Sequence, residues 1–306
     1  MEARLDHDGG RQARMPSTII ASWPKGSFAE NLAVDRDGAI YVSLHTDQRI
    51  ERVAPDTGRV TPFASFDLPI AGLSFAADGA LYVSGGHPGR PPGVLWRVDR
   101  NRRVERIATL DHVAFFNGMT PHPDGKRLLV ADSIGGVIHA LDITDGRVDA
   151  WLADDRLKPL AGDWTPGANG VKLFGGHVYV SVTARDALYR APLDGSGRPG
   201  PLELVAEHLR ADDFAFDTEG NLYIATHPAH SLVRLTPRGE RSTLAGVEQG
   251  LLCATAVAFG RTPADDHSVY VTTTGGTLVL PDEQGETAKL VRVAVGAKGQ
   301  ALLSPE

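Results

Sequence analysis

The stretch Asn31–Val53, NLAVDRDGAIYVSLHTDQRIERV, decides the fold. Apolar residues alternate up to an Asp37-Gly38 turn, the run Ile40-Tyr41-Val42 follows, and a polar loop leads into RIERV. Strict alternation marks a half-buried strand, and glycine supplies the positive φ that a tight hairpin needs. The same grammar returns in GLSFAADGALYVSGG from Gly72, GMTPHPDGKRLLVADS from Gly118, GVKLFGGHVYVSVT from Gly170 and DFAFDTEGNLYIATH from Asp213. A degenerate copy, AVAFGRTPADDHSVYVTTTGG, begins at Ala256. Successive copies start about 41 to 52 residues apart, room for four short strands and their turns. Further strands are visible in VLWRV, VIHAL, ALYRA and SLVRL. Six such units predict an all-β, six-bladed β-propeller with four-stranded blades, one domain over residues 18–306 after a disordered lead-in at 1–17.

Composition agrees. The 306 residues include 34 Gly and 20 Pro spread along the chain, which leaves little room for long helices and favours short strands. The net charge of −7, with basic residues scattered among acids, gives no footprint for nucleic acid or anionic lipid. No apolar run approaches the roughly 18 residues of a membrane span, and the N-terminus lacks the apolar core of a signal peptide. The lone Cys253 permits no intrachain disulfide. A cytoplasmic protein acting on a small molecule is expected, with no nucleic-acid or membrane partner.

In a propeller the residue that opens each innermost strand sits at one mouth of the central channel. The six equivalent positions are Glu30, Ala71, Asn117, Asn169, Asp212 and Thr255. Four of them bear the carboxylate or amide oxygens that a hard cation accepts. Without a cation, Glu30 and Asp212 would repel one another in a partly dehydrated channel. The plainer alternative is that Asn and Asp cap the turns into these strands.

The motifs FAENLAVDRDG around Glu30, FNGMTPHPDGKRLLVADS around Asn117, GANGVKL around Asn169 and ADDFAFDTEGNLYIAT around Asp212 give the chain its resemblance. It resembles the SMP-30/gluconolactonase/luciferin-regenerating-like family of six-bladed propellers over about residues 20–290. That resemblance implies a divalent-metal-dependent lactone hydrolase with Glu30, Asn169 and Asp212 as metal ligands. It implies Asn117 as an amide that holds water or substrate, and Asp212 as general base or nucleophile. Ca²⁺ is the expected ion, with Mg²⁺, Mn²⁺ and Zn²⁺ as alternatives. Asp212-Asp213 stands where such proteins commonly read Asp-Gly, so either aspartate is open; the spacing to Asp217 favours Asp212. Ala-Glu-Asn-Leu in place of Glu-Gly-Pro at the first motif points away from a sugar lactone.

The loops that follow each hairpin, among them SLHTDQ, SGGHPGRPPG, SVTARD and ATHPAH, bring His45, His87, Arg185 and His227 toward the same mouth. Phe116, Trp164 and Phe214 flank the candidate ligands and supply an expected apolar wall, so these seven residues form the candidate substrate-binding set. Gly195–Gly200 fits GxGxxG, but Pro199 and Pro201 forbid an immediate helix and the segment joins two strands. No GxSxG, phosphate-loop or HExxH pattern occurs. Three alternatives stay open beside lactone hydrolysis: phosphotriester hydrolysis on the same cation site, a non-hydrolytic biosynthetic cyclisation or isomerisation, and a non-catalytic binding propeller with a structural cation.

Overall fold

In five of the six repeats an aspartate organises the hairpin turn, and in blade four Gly175-Gly176 turns it instead. The Asp35 carboxylate accepts the amides of Asp37 and Ala39 at 3.0 and 2.8 Å and the Tyr41 hydroxyl at 3.1 Å. Asp217 repeats this with Glu219, Asn221 and Tyr223. The recurring Asp and Tyr therefore satisfy one another across the turn, and the buried Tyr rings stiffen the strand behind it.

The computed structural model describes residues 14–162 and 165–301. Six four-stranded antiparallel sheets make the blades of the propeller. Their innermost strands, from blade one to blade six, are Ala29–Val34, Ile70–Phe75, Phe116–Pro121, Ala168–Phe174, Phe214–Phe216 and Ala254–Phe259. The ring is closed by the start of the chain: Ser17–Trp23 pairs antiparallel with Ala288–Ala294 as the outermost strand of blade six. The expected lead-in thus falls outside the described residues for 1–13. Beyond it, the Met15 amide already bonds the Leu244 carbonyl at 2.8 Å and the first strand opens at Ser17. Among the described residues, no helix is long and apolar enough to cross a membrane.

The core lies between blades. It divides into six apolar clusters, each built from two neighbouring sheets. Tyr41 and Trp96 fill the wedge between blades one and two, and Tyr223 meets Phe259 edge-on at 5.1 Å between blades five and six. Burial of these rings is the main cohesive force of such a ring of sheets.

One irregularity recurs in every blade and positions the site. Core residues near the start of each inner strand are spaced by three, not two: Ala29 and Leu32, Ile70 and Leu73, Phe116 and Met119, Ala168 and Val171, Ala211 and Phe214, Ala254 and Val257. In five blades the strand pairing shifts register within this interval, as a β-bulge does. Between each pair lie two residues, and Ala256 of blade six alone among them joins an interblade cluster. A buried hydroxyl then ties the bulge to the next blade. Ser43 Oγ accepts the Asn31 amide at 2.9 Å and donates to the Ala71 carbonyl at 2.8 Å. Ser84 and Ser181 do the same between Gly72 and Asn117, and between Gly170 and Asp212.

Candidate active site

The first residue between each pair is Glu30, Ala71, Asn117, Asn169, Asp212 or Thr255, the six positions read from the repeats. Glu30, Asn117, Asn169 and Asp212 together line a cavity of ≈ 530 Å³ at one end of the channel. The second residue between each pair abuts the neighbouring blade. It is glycine in blades two to four, and a Cβ on Gly118 would lie 2.5 Å from the Asn169 carbonyl oxygen. In blade five it is Asp213. That residue lines a separate, smaller cavity of ≈ 150 Å³ further along the axis, with Asn31 and Lys172. Asp213 binds Lys172 Nζ at 2.5 Å and accepts from Asn31 Nδ2 at 3.3 Å. The choice between the two aspartates falls on Asp212 for the larger cavity.

Asp212 is fixed there by its neighbour. Asn169 Nδ2 donates to Asp212 Oδ1 at 2.5 Å and to Thr183 Oγ1 at 3.0 Å, while Asn117 Nδ2 donates to Ser133 Oγ at 3.3 Å. Burial, reinforced by Asp213, pushes the Glu30 carboxyl up to about 7. Burial raises the Asp212 carboxyl as well, with the charges of Glu30 and Asp213 adding to it and the Asn169 bond opposing. His227 Nδ1 lies 4.0 Å from Asp212 Oδ2, its Nε2 is buried without a hydrogen-bond partner, and burial lowers this imidazole to about 4. His45 is buried and neutral-favouring for the same reason, its Nδ1 2.8 Å from the Ile70 carbonyl.

Among the described residues, no three His, Cys, Asp or Glu side chains gather as a metal cluster. The donors present are two carboxylates and two amides. This oxygen set fits a hard divalent cation, and mutual repulsion of Glu30 and Asp212 is what such a charge would relieve.

His45 and His227 line the cavity as expected, while Phe116, Phe214, His87 and Arg185 are placed elsewhere. Phe116 and Phe214 are the core members of the three-residue spacing, fully buried between blades. Their rings pack against His139 and Phe216, away from the cavity that the neighbouring Asn117 and Asp212 line. His87 is exposed at a hairpin tip, where Pro88 and Gly89 face the cavity instead. Arg185 spends its guanidinium on the carbonyls of Lys158 and Asp155. Trp164 lies outside the described residues. The apolar wall comes from Phe28, Phe115, Ile134, Pro166, Leu278 and Val279, and Arg210 also reaches the lining. Phe115 stands two positions before Asn117 of the predicted ring; Leu278 and Val279 come from a blade-six loop with no repeat signal.

With this geometry in hand, similarity to known proteins can be placed. The calcium-binding protein regucalcin of Agrobacterium tumefaciens superposes with a TM-score of 0.72 at 18% identity, over 95% of this chain and 98% of that one. A luciferin-regenerating enzyme gives 0.70 at 16% identity, over 93% and 96%. The chain shares the six-bladed propeller fold of these two proteins. These neighbours bear out the resemblance read from the four motifs. No protein-family model matches the chain. In sequence, a protein of Sarocladium schorii named as a hetero-Diels-Alderase is 25% identical over 321 aligned residues, 84% of this chain and 78% of that protein. A 6-deoxy-6-sulfogluconolactonase of Pseudomonas putida is 30% identical over 177 residues, 48% of this chain and 58% of that protein. The propeller therefore has relatives named for two kinds of chemistry.

Proposed function

We propose that this propeller is a divalent-metal-dependent hydrolase that opens a cyclic ester in the ≈ 530 Å³ cavity. One observation carries the reading: the half-buried carboxyl of Glu30 and the buried one of Asp212 converge with two amides on an open cavity, and Asp212 is oriented by Asn169. Glu30, Asn169 and Asp212 would hold the cation, Ca²⁺ first among the candidates, with Asn117 beside it. When bound, the ion supplies Lewis-acid polarisation of an ester carbonyl. Asp212 takes the proton from the attacking water, and the Asn169 amide keeps its second oxygen occupied so that one oxygen stays available. Similarity to a sulfogluconolactonase supports the lactone class.

The test is ring-opening of a lactone panel followed by proton release, with chelator and metal add-back. Asp212→Asn should lower the rate at least about 100-fold, and chelated protein should be inactive until a divalent cation is restored. Full turnover in either would overturn the assignment.

A second reading is a non-hydrolytic cyclisation in the same cavity, favoured by the similarity across most of the chain to proteins named as hetero-Diels-Alderases. Product mass in heavy-oxygen water separates the two. Hydrolysis adds one solvent oxygen, and cyclisation adds none.

A further inference from the structure

The cavity has an acidic floor and a wall of a different character. Phe28, Phe115, Ile134, Pro166, Leu278 and Val279 supply most of that wall. Several of the polar side chains set among them are already committed, His227 Nε2 being an exception without a hydrogen-bond partner. Ser133 Oγ donates to the Ala168 carbonyl at 2.7 Å and receives the Asn117 amide at 3.3 Å. Thr183 Oγ1 donates to the Ala211 carbonyl at 2.9 Å and receives the Asn169 amide at 3.0 Å. His45 spends Nδ1 on the Ile70 carbonyl at 2.8 Å, and Arg210 Nε turns toward Asp186 Oδ1 at 3.4 Å. Those bonds stitch one blade to the next or hold the floor amides in place, so breaking them for a ligand has a cost. A sugar lactone carries a hydroxyl on nearly every ring carbon, and each buried without a partner loses free energy on binding.

The rim adds a second observation. Leu278 is 77% exposed and Val279 39% exposed, both at the cavity mouth. Leu278 has φ 66°, a left-handed conformation that a leucine rarely adopts, in a loop turned by Gly275 and Gly276 at φ 62° and 90°. An apolar side chain held in a disfavoured backbone and presented to solvent at a cavity mouth is placed to be covered by a ligand.

We propose that the occupant is a lactone with an apolar body, an alkyl- or aryl-substituted ring, and that Leu278 and Val279 close over its substituent. This rests on the lactone reading above and narrows it. The carbonyl end meets the floor of Glu30, Asn117, Asn169 and Asp212, and the hydrocarbon part lies against the wall.

Binding can be read without turnover by using ring amides, which resist hydrolysis. Calorimetric titration, with Ca²⁺ present, should compare a pentyl-substituted δ-lactam with gluconolactam. The pentyl compound should bind at least about ten-fold more tightly. Leu278→Gly suits the left-handed turn and removes the side chain; it should weaken pentyl-lactam binding about ten-fold at an unchanged melting temperature. Gluconolactam binding as tightly as the pentyl compound, or an indifferent Leu278→Gly, overturns the proposal. Pentyl-lactam binding with the matching lactone left intact supports the apolar site and removes the hydrolase reading. Opening of gluconolactone with no pentyl-lactam binding does the reverse.

Discussion

Asp213 shows how much one residue can say. At its position blades two, three and four carry glycine, because the next blade's backbone leaves no room for a Cβ. Blade five carries a carboxylate there and answers it with Lys172. The pair stands close enough to the site for Asp213 to help raise the Glu30 carboxyl. Asp213→Gly should leave Lys172 unpaired and weaken Ca²⁺ affinity roughly ten-fold, the equivalent of about 1.4 kcal/mol. Adding Lys172→Met should recover most of the loss; calorimetry with no change in either variant would show the pair to be electrically silent. Glu30, Asn117, Asn169 and Asp212 were legible in the sequence because each opens the same strand in its own repeat. Phe115 was not, since adjacency to Asn117 pointed to Phe116, which opens the inner strand and turns into the interblade core. Leu278 was hidden for another reason: a loop's course is set by tertiary contacts, and no repeat predicts it.

At the level of the element, the hairpin turn was plain and the bulge behind it was not. Acidic-glycine turns announce themselves through residue type. The bulge shows only as apolar residues three apart, a spacing that a short strand also tolerates by chance. Its hydroxyl stitch gives a measurable consequence. Ser84→Ala would leave the Gly72 amide and the Asn117 carbonyl without their partner in a buried place. Unfolding free energy should fall by about 1–3 kcal/mol, read by urea denaturation, and by much less if water replaces the hydroxyl. The blade-three turn makes a pH prediction. Asp124 feels some burial, but the Lys126 amide, the Arg127 guanidinium and His122 hold its carboxyl down at about 2 against an ordinary 3.8. A depressed carboxyl stabilises above its unfolded value and loses that contribution as pH falls through the folded one. Asp124→Asn should therefore flatten the fall in melting temperature between about pH 4 and 2; an unaltered slope would place the acid sensitivity elsewhere.

For the whole molecule, the repeat count alone gave six blades, because six copies of one pattern must close around an axis. How the ring closes was not visible. Outer strands carry little of the pattern, so the sequence assigns no strand to Ser17–Trp23, which completes blade six and sends Trp23 Nε1 to Glu51 Oε2 of blade one at 2.6 Å. Deleting Ser17–Trp23 should expose the outer edge of blade six and cut the contact to blade one. Thermal denaturation should show a much lower midpoint or a loss of cooperativity, and an unaffected transition would mean that the strand is dispensable.

That closing strand also sets an order of events during synthesis. The first described strand to leave the ribosome belongs to the last blade and must wait, unpaired, until Ala288–Ala294 has been made. Blades one to five can assemble as they emerge, each against its predecessor, but the annulus stays open until the two ends of the chain meet. Ring closure therefore comes last, on a contact between Ser17–Trp23 and Ala288–Ala294, which lie far apart in sequence.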